Sequence, residues 1–202
     1  MTITPTAPAA APTATAPTAP AAPRLTLVIG GARSGKSAVA ERLVERHEGP
    51  LLYLATGSIL DSAGRLDPDM AARVDMHQQR RGERYRTIES GPDLVGALTD
   101  APAWPALVDG LGTWVAAHWD SDAPDGGFAA DPHELVAAFR RHPKPIVVVT
   151  DEVGLGVHPE TAVGRRFRDA LGTANQAVAH YADLALLVVA GRALELHPAD
   201  RW

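Results

Sequence analysis

The chain has 202 residues, 46% of them hydrophobic, and a formal net charge of −5, which suits one domain with a sizeable core. The acidic balance gives no basis for nucleic acid or an anionic membrane surface as partner, and no apolar run approaches the ~20 residues that span a bilayer. Without cysteine, disulfides, thiolate metal sites and cysteine nucleophiles are excluded, a composition in keeping with a reducing cytoplasm.

Residues Met1 to Pro23 are almost entirely Ala, Pro and Thr, with no charge before Arg24. Neither the basic start and apolar stretch of a secretory signal nor the arginines of a transit peptide are present. Six prolines among these 23 positions oppose regular helix, so a disordered tail is expected over 1–23 and a single folded domain over 24–202.

The first strand candidate, Leu25–Ile29, runs directly into Gly30-Gly31-Ala32-Arg33-Ser34-Gly35-Lys36-Ser37. This stretch fits G-x-x-x-x-G-K-[ST], and the helical stretch Ser37–His47 follows it without Pro or Gly. The spacing has a physical purpose. Glycines let successive backbone N–H groups turn inward onto phosphate oxygens, Lys36 reaches the β/γ-phosphates, Ser37 offers a hydroxyl to Mg²⁺, and the helix adds its positive end. The pattern points to nucleotide binding and leaves the fate of the phosphates open.

Further strand candidates are Leu51–Ala55, Tyr85–Glu89, Ala106–Asp109, Ile146–Thr150 and Leu184–Ala190. The uninterrupted apolar runs in the last two suit parallel strands buried on both faces. Helical candidates are Asp69–Arg80, Pro92–Thr99, Leu111–Trp119, Pro132–Arg141 and Thr161–Tyr181, with Asp131-Pro132 a clear start signal. The segment Asp120–Ala130, with Gly126-Gly127, reads as a mobile surface loop. The alternation predicts a doubly wound α/β sheet, with ligands beyond the carboxyl ends of its strands.

If Asp69–Arg80 is helical, Arg73, His77 and Arg80 or Arg81 stack on one face. Like cations on one stripe call for an anion among them, and a histidine among arginines resists protonation, leaving a ring nitrogen free to attack. Spacing alone favours a solvated basic face with an incidental histidine. Carboxylates able to organise Mg²⁺ should end strands near the phosphate loop. Asp109 and Asp151, the latter followed by Glu152, both qualify. By the hydrophobicity of the preceding strand Asp151 is the better Walker-B-like choice, and the pattern alone does not settle it.

Four blocks closely resemble the bifunctional adenosylcobinamide kinase/adenosylcobinamide-phosphate guanylyltransferase family of cobalamin biosynthesis. They are Gly30 through Ser37; Tyr53-Leu54-Ala55-Thr56-Gly57; Met70 through Arg81, continuing to Arg86-Thr87-Ile88-Glu89; and Val149 through Glu160, with Arg166-Phe167-Arg168-Asp169 and Asn175-Gln176 beyond. The resemblance implies a P-loop NTPase fold of the RecA-like kind, with a mostly parallel sheet flanked by helices. It implies phosphorylation of adenosylcobinamide by ATP or GTP, then transfer of GMP from GTP through a guanylylated histidine to give adenosylcobinamide-GDP. That histidine falls on His77.

Nucleotide contacts carry over to Gly30, Gly31, Ala32, Arg33, Ser34, Gly35, Lys36 and Ser37, to Ala55, Thr56 and Gly57, to Gln78, Gln79, Arg80 and Arg81, and to Glu89. The family's strand-end carboxylate falls on Asp109, where glutamate is commoner. At Asp151 the family often has asparagine, so the resemblance favours Asp109, with Ser37, for the metal. It further implies a cytoplasmic homotrimer using small-molecule substrates. Two other readings remain at this stage: an enzyme keeping one of the two activities, and a nucleotide-gated regulatory ATPase or GTPase.

Overall fold

The computed structural model describes residues 22–57, 82–120, 127–129 and 131–199. Seven strands form one sheet in the order β3-β2-β4-β7-β1-β8-β9. They are β1 (Leu25–Gly30), β2 (Leu51–Ala55), β3 (Tyr85–Glu89), β4 (Ala106–Asp109), β7 (Ile146–Asp151), β8 (Leu184–Val189) and β9 (Arg192–Leu196). All pairings are parallel except β8 with β9. Two-residue strands β5 (Trp119–Asp120) and β6 (Gly127–Phe128) pair apart from it as an antiparallel ribbon.

The centre of the sheet follows from the apolar runs. β1 is buried along its whole length, and β7 is buried through Thr150. Helices cover both faces. α1 (Lys36–Val44) packs on one side, where Val39, Ala40 and Val44 meet Val28, Tyr53, Leu107, Val147 and Val188. On the other side lie α2 (Leu94–Asp100), α3 (Leu111–Ala117), α4 (Pro132–Arg141) and α5 (Ala162–Tyr181). Their Leu94, Trp114, Leu135, Phe139 and Leu171 close over Leu25, Leu27, Leu54, Val108 and Val148. The expected doubly wound, mostly parallel α/β sheet is therefore what the chain forms.

Local chemistry sets the helix starts. Asp93, Asp131 and Thr161 cap α2, α4 and α5 by accepting from the amides of Gly96, His133 and Gly164 at 2.9, 2.8 and 3.1 Å. Pro132 at the first position of α4 fits its fixed φ. α1 and α3 differ: each starts from a left-handed glycine, Gly35 (φ 92°) and Gly110 (φ 105°), with no side-chain cap.

Two features depart from the sequence reading. The strand at Leu184 ends at Val189, and a two-residue turn at Ala190-Gly191, with φ 51° and 74°, folds β9 back antiparallel. Positive φ at both turn residues matches the right-handed strand twist. The Asp120–Ala130 segment, expected as a mobile loop, is pinned in its described part: Asp120 pairs with Gly127, and the Phe128 ring lies 5.0 Å from Trp119 and 6.0 Å from Phe167 of α5. Aromatic packing supplies an anchor that glycine content did not reveal. The expected helix Asp69–Arg80 lies outside the described residues. No helix among the described residues is long and apolar enough to cross a membrane.

Candidate active site at the carboxyl edge of the sheet

Gly30, Ala55, Glu89, Asp109 and Asp151 are the last residues of five parallel strands, so the sheet alone sets them along one edge. The phosphate loop leaves that edge at Gly30. A Cβ on Gly30 would stand 2.4 Å from the Val188 carbonyl oxygen and 2.7 Å from Ser34 Oγ, so only glycine fits. Gly31 has open space around its Cβ position, so the chain's own packing does not demand glycine there. Arg33 takes a positive φ of 56°, and the Ser34 amide donates to the Gly31 carbonyl at 3.3 Å. Ala32, Arg33 and Gly35 are exposed, and Lys36 and Ser37 in the first turn of α1 are half-buried. The first amides of α1, free of a side-chain cap, and the positive helix end make this loop a fitting seat for an anion.

The β8–β9 turn braces the loop from outside. Gly191 donates its amide to the Ser34 carbonyl at 2.7 Å, and a Cβ on Gly35 would meet Gly191 Cα at 3.2 Å. This support of the loop by Gly191 is a contact that the sequence reading missed. The signal available was Ala190-Gly191 between two apolar stretches, weakened because Ala replaces the Asn or Asp usual in such turns. Ser34 Oγ is buried without a hydrogen-bond partner among the described residues.

Beyond β2, Thr56 is 2% exposed and acts as a hub. Its hydroxyl lies 2.6 Å from the Gly110 carbonyl, 3.2 Å from the Asp109 carbonyl and 2.5 Å from Thr113 Oγ1. Thr56 thus ties the end of β2 to the start of α3, with Gly57 against Thr113. Glu89, at the end of β3, is exposed and aligned with Ala55.

The two candidate carboxylates have different partners. Asp109 Oδ2 accepts from the Tyr53 hydroxyl at 2.7 Å. Asp151 Oδ1 forms an ion pair with Lys36 Nζ at 2.7 Å. In register Asp151 aligns with Gly30, whereas Asp109 sits on the next strand outward, opposite Val149. Among the described residues no three His, Asp or Glu side chains cluster to hold a metal by themselves. Mg²⁺ does not need such a cage, since it is bound through one or two protein oxygens, substrate phosphates and water. The hydroxyl of Ser37 and the carboxylates of Asp109 and Asp151, all hard oxygen donors at one edge, fit that requirement.

His77, Gln78, Gln79, Arg80 and Arg81 lie outside the described residues. A cavity of about 700 Å³ opens on the α5 face, lined among others by Leu27, Ala185, Asn175 and Leu196. It meets the carboxyl edge of the sheet at Ile29 and Glu152–Gly154 and includes none of Gly31–Ser37.

A family model described as cobinamide kinase / cobinamide phosphate guanyltransferase matches residues 26–196. The chain is 38% identical over 182 residues to the bifunctional adenosylcobalamin biosynthesis protein CobU of Escherichia coli (strain K12), covering 83% of this chain and 96% of that protein. It is 37% identical to the protein of the same name from Salmonella typhimurium (strain LT2), with the same coverage. Against the bifunctional adenosylcobalamin biosynthesis protein CobP of Pseudomonas aeruginosa (strain PAO1) it is 34% identical over 172 residues, 84% of this chain and 95% of the relative. With a family match that takes in the phosphate loop, every strand of the main sheet and the Asp151 edge, the chain belongs to the cobinamide kinase / cobinamide phosphate guanyltransferase family.

Proposed function

We propose that this protein phosphorylates adenosylcobinamide with ATP or GTP and then converts the product to adenosylcobinamide-GDP with GTP, assembling the nucleotide loop of cobalamin. The observation that carries this reading is the family match across residues 26–196, which includes a phosphate loop with an uncapped helix start and Lys36 at its mouth.

In the first reaction the loop amides and Lys36 hold the β- and γ-phosphates. The hydroxyl oxygen of the aminopropanol arm attacks the γ-phosphorus, the bond to the β–γ bridging oxygen breaks, and the nucleoside diphosphate leaves. Positioning and charge stabilisation supply most of the acceleration. Mg²⁺, when bound, neutralises phosphate charge, and Ser37 and Asp109 are the residues assigned to hold it.

In the second reaction a neutral ring nitrogen of His77 attacks the α-phosphorus of GTP, forming an N–P bond as pyrophosphate leaves. A phosphate oxygen of the phosphorylated corrinoid then attacks that phosphorus and frees the imidazole. Two easier displacements replace one hard one. Arg80 and Arg81 are assigned to charge on the phosphates, with Gln78 and Gln79 beside them. Ala55, Thr56, Gly57 and Glu89, at the ends of β2 and β3, are assigned to the guanine nucleotide.

We further assign residues 1–23 as a tail outside the catalytic domain at 24–202, a cytoplasmic location in keeping with the lack of cysteine, and a homotrimeric assembly by family resemblance. The test is direct. With Mg²⁺ and GTP labelled at the α-phosphate, the protein should form an acid-labile, base-stable adduct that His77→Ala abolishes. Label surviving in that variant overturns the nucleophile, and no label with intact corrinoid phosphorylation leaves a kinase alone.

A further inference from the structure

Lys36 is a partly buried cation, its side chain 15% exposed, and it already has an anionic partner. Its ammonium stands 2.7 Å from Asp151 Oδ1 and 3.3 Å from the Gly31 carbonyl oxygen, to which it donates. The backbone that carries the carboxylate is fixed on both of its flanks. Register aligns Asp151 with Gly30, and the next amide, that of Glu152, donates to the Gly30 carbonyl at 3.1 Å. The Asp151 carbonyl accepts from Asn175 Nδ2 at 3.1 Å, and Asn175 Oδ1 accepts from the fully buried Thr150 hydroxyl at 2.6 Å. Gly112 of α3 lies beside the carboxylate, the position of a Cβ there falling 3.4 Å from Asp151 Oδ2.

We infer that Asp151 is a positioning residue acting through Lys36: it holds the ammonium at the loop before nucleotide arrives, and competes with the incoming phosphates for it. This rests on the phosphate loop being the nucleotide seat. A triphosphate must draw the ammonium from a carboxylate that is itself 41% exposed and so readily rehydrated. The exchange swaps one anion for another and adds repulsion between the carboxylate and the entering phosphates. Both effects lower affinity, and both vanish when the carboxylate becomes a neutral amide of the same shape. For a partly exposed pair the gain should be about two- to fivefold. The inference thus separates Asp151 from a direct role in holding Mg²⁺.

The test measures the dissociation constant of a non-hydrolysable GTP analogue, with EDTA and with Mg²⁺, for the wild-type chain, Asp151→Asn, Asp151→Glu, Lys36→Ala and the Lys36→Ala/Asp151→Asn pair. Thermal melts monitor folding. Asp151→Asn should tighten binding about two- to fivefold in both buffers, and Asp151→Glu should stay near wild type. In the Lys36→Ala background the share of that gain that acts through the lysine should disappear, leaving only the relief of repulsion. Unchanged or weaker binding in EDTA overturns the inference. So does a loss confined to Mg²⁺ buffers, which would identify a metal ligand, or a gain that persists in full without Lys36. Absence of any analogue binding to the wild-type chain would refute the nucleotide seat itself, and the inference with it.

Discussion

The position that a Cβ of residue 30 would take lies 2.4 Å from the carbonyl oxygen of Val188, a backbone atom of the neighbouring strand. The phosphate loop therefore departs from β1 through a gap that only a hydrogen atom fills. Gly30→Ala must push β8 and the Ala190-Gly191 turn outward. The expected cost is about 1–3 kcal/mol, or roughly 2–12 °C in melting temperature for a domain of this size. Nucleotide affinity should fall with it, because the same turn supports Ser34. An unchanged melting curve would show that β1 and β8 yield without strain.

Lys36→Ala should weaken both reactions, since one phosphate cradle serves both nucleotide steps. A loss of about 100-fold or more in kcat/KM is expected for phosphorylation, with a parallel fall in the rate of histidine guanylylation. The two rates are measured separately, with labelled γ- and α-phosphate. Wild-type guanylylation in this variant would place the two chemistries in separate pockets.

Asn175 spans from α5 to the end of β7, where its side chain serves Thr150 and the Asp151 carbonyl. Replacing it with leucine strands the Thr150 hydroxyl, which is completely buried. Asn175→Leu should cost about 1–3 kcal/mol in denaturant unfolding. Adding Thr150→Val should recover part of that loss, since removing both partners is cheaper than orphaning one. Equal costs for the single and double variants would mean that the damage is steric.

Ala190 adopts φ 51° in the β8–β9 turn, a conformation that asparagine and glycine enter more readily. Ala190→Asn should raise stability by about 0.5–1 kcal/mol, visible as a melting point roughly 1–4 °C higher. Turnover should be unaffected, because the Gly191 amide keeps its bond to Ser34. A lower melting point would show that the turn's shape is not limited by residue 190.

Deleting Met1–Pro23 while keeping Arg24 should leave turnover and melting temperature nearly unchanged. Arg24 itself belongs to the fold: its amide donates to Asp183 Oδ2 at 2.8 Å and its guanidinium to the His142 carbonyl at 3.1 Å. The remaining tail is proline-rich and uncharged, with little means of burying surface. A marked loss on truncation would mean that it packs on the domain.

The sequence by itself determined six of the seven strands of the sheet and the phosphate loop. Long apolar runs specify strands buried on both faces, and Gly30 through Ser37 encodes its turn through residues adjacent in the chain, so local chemistry suffices. Asp131-Pro132 likewise announces α4. Contacts distant in sequence were invisible to such reading. Only the tertiary structure brought Gly191 onto Ser34, Asn175 onto the end of β7, and Phe128 onto α5. It also assigned distinct partners to the two carboxylates that strand hydrophobicity had ranked, giving Asp151 to Lys36 and Asp109 to Tyr53. Strand order decides that outcome: β7 lies beside β1 and β4 lies one place further away, and no periodicity along the chain records which strands become neighbours.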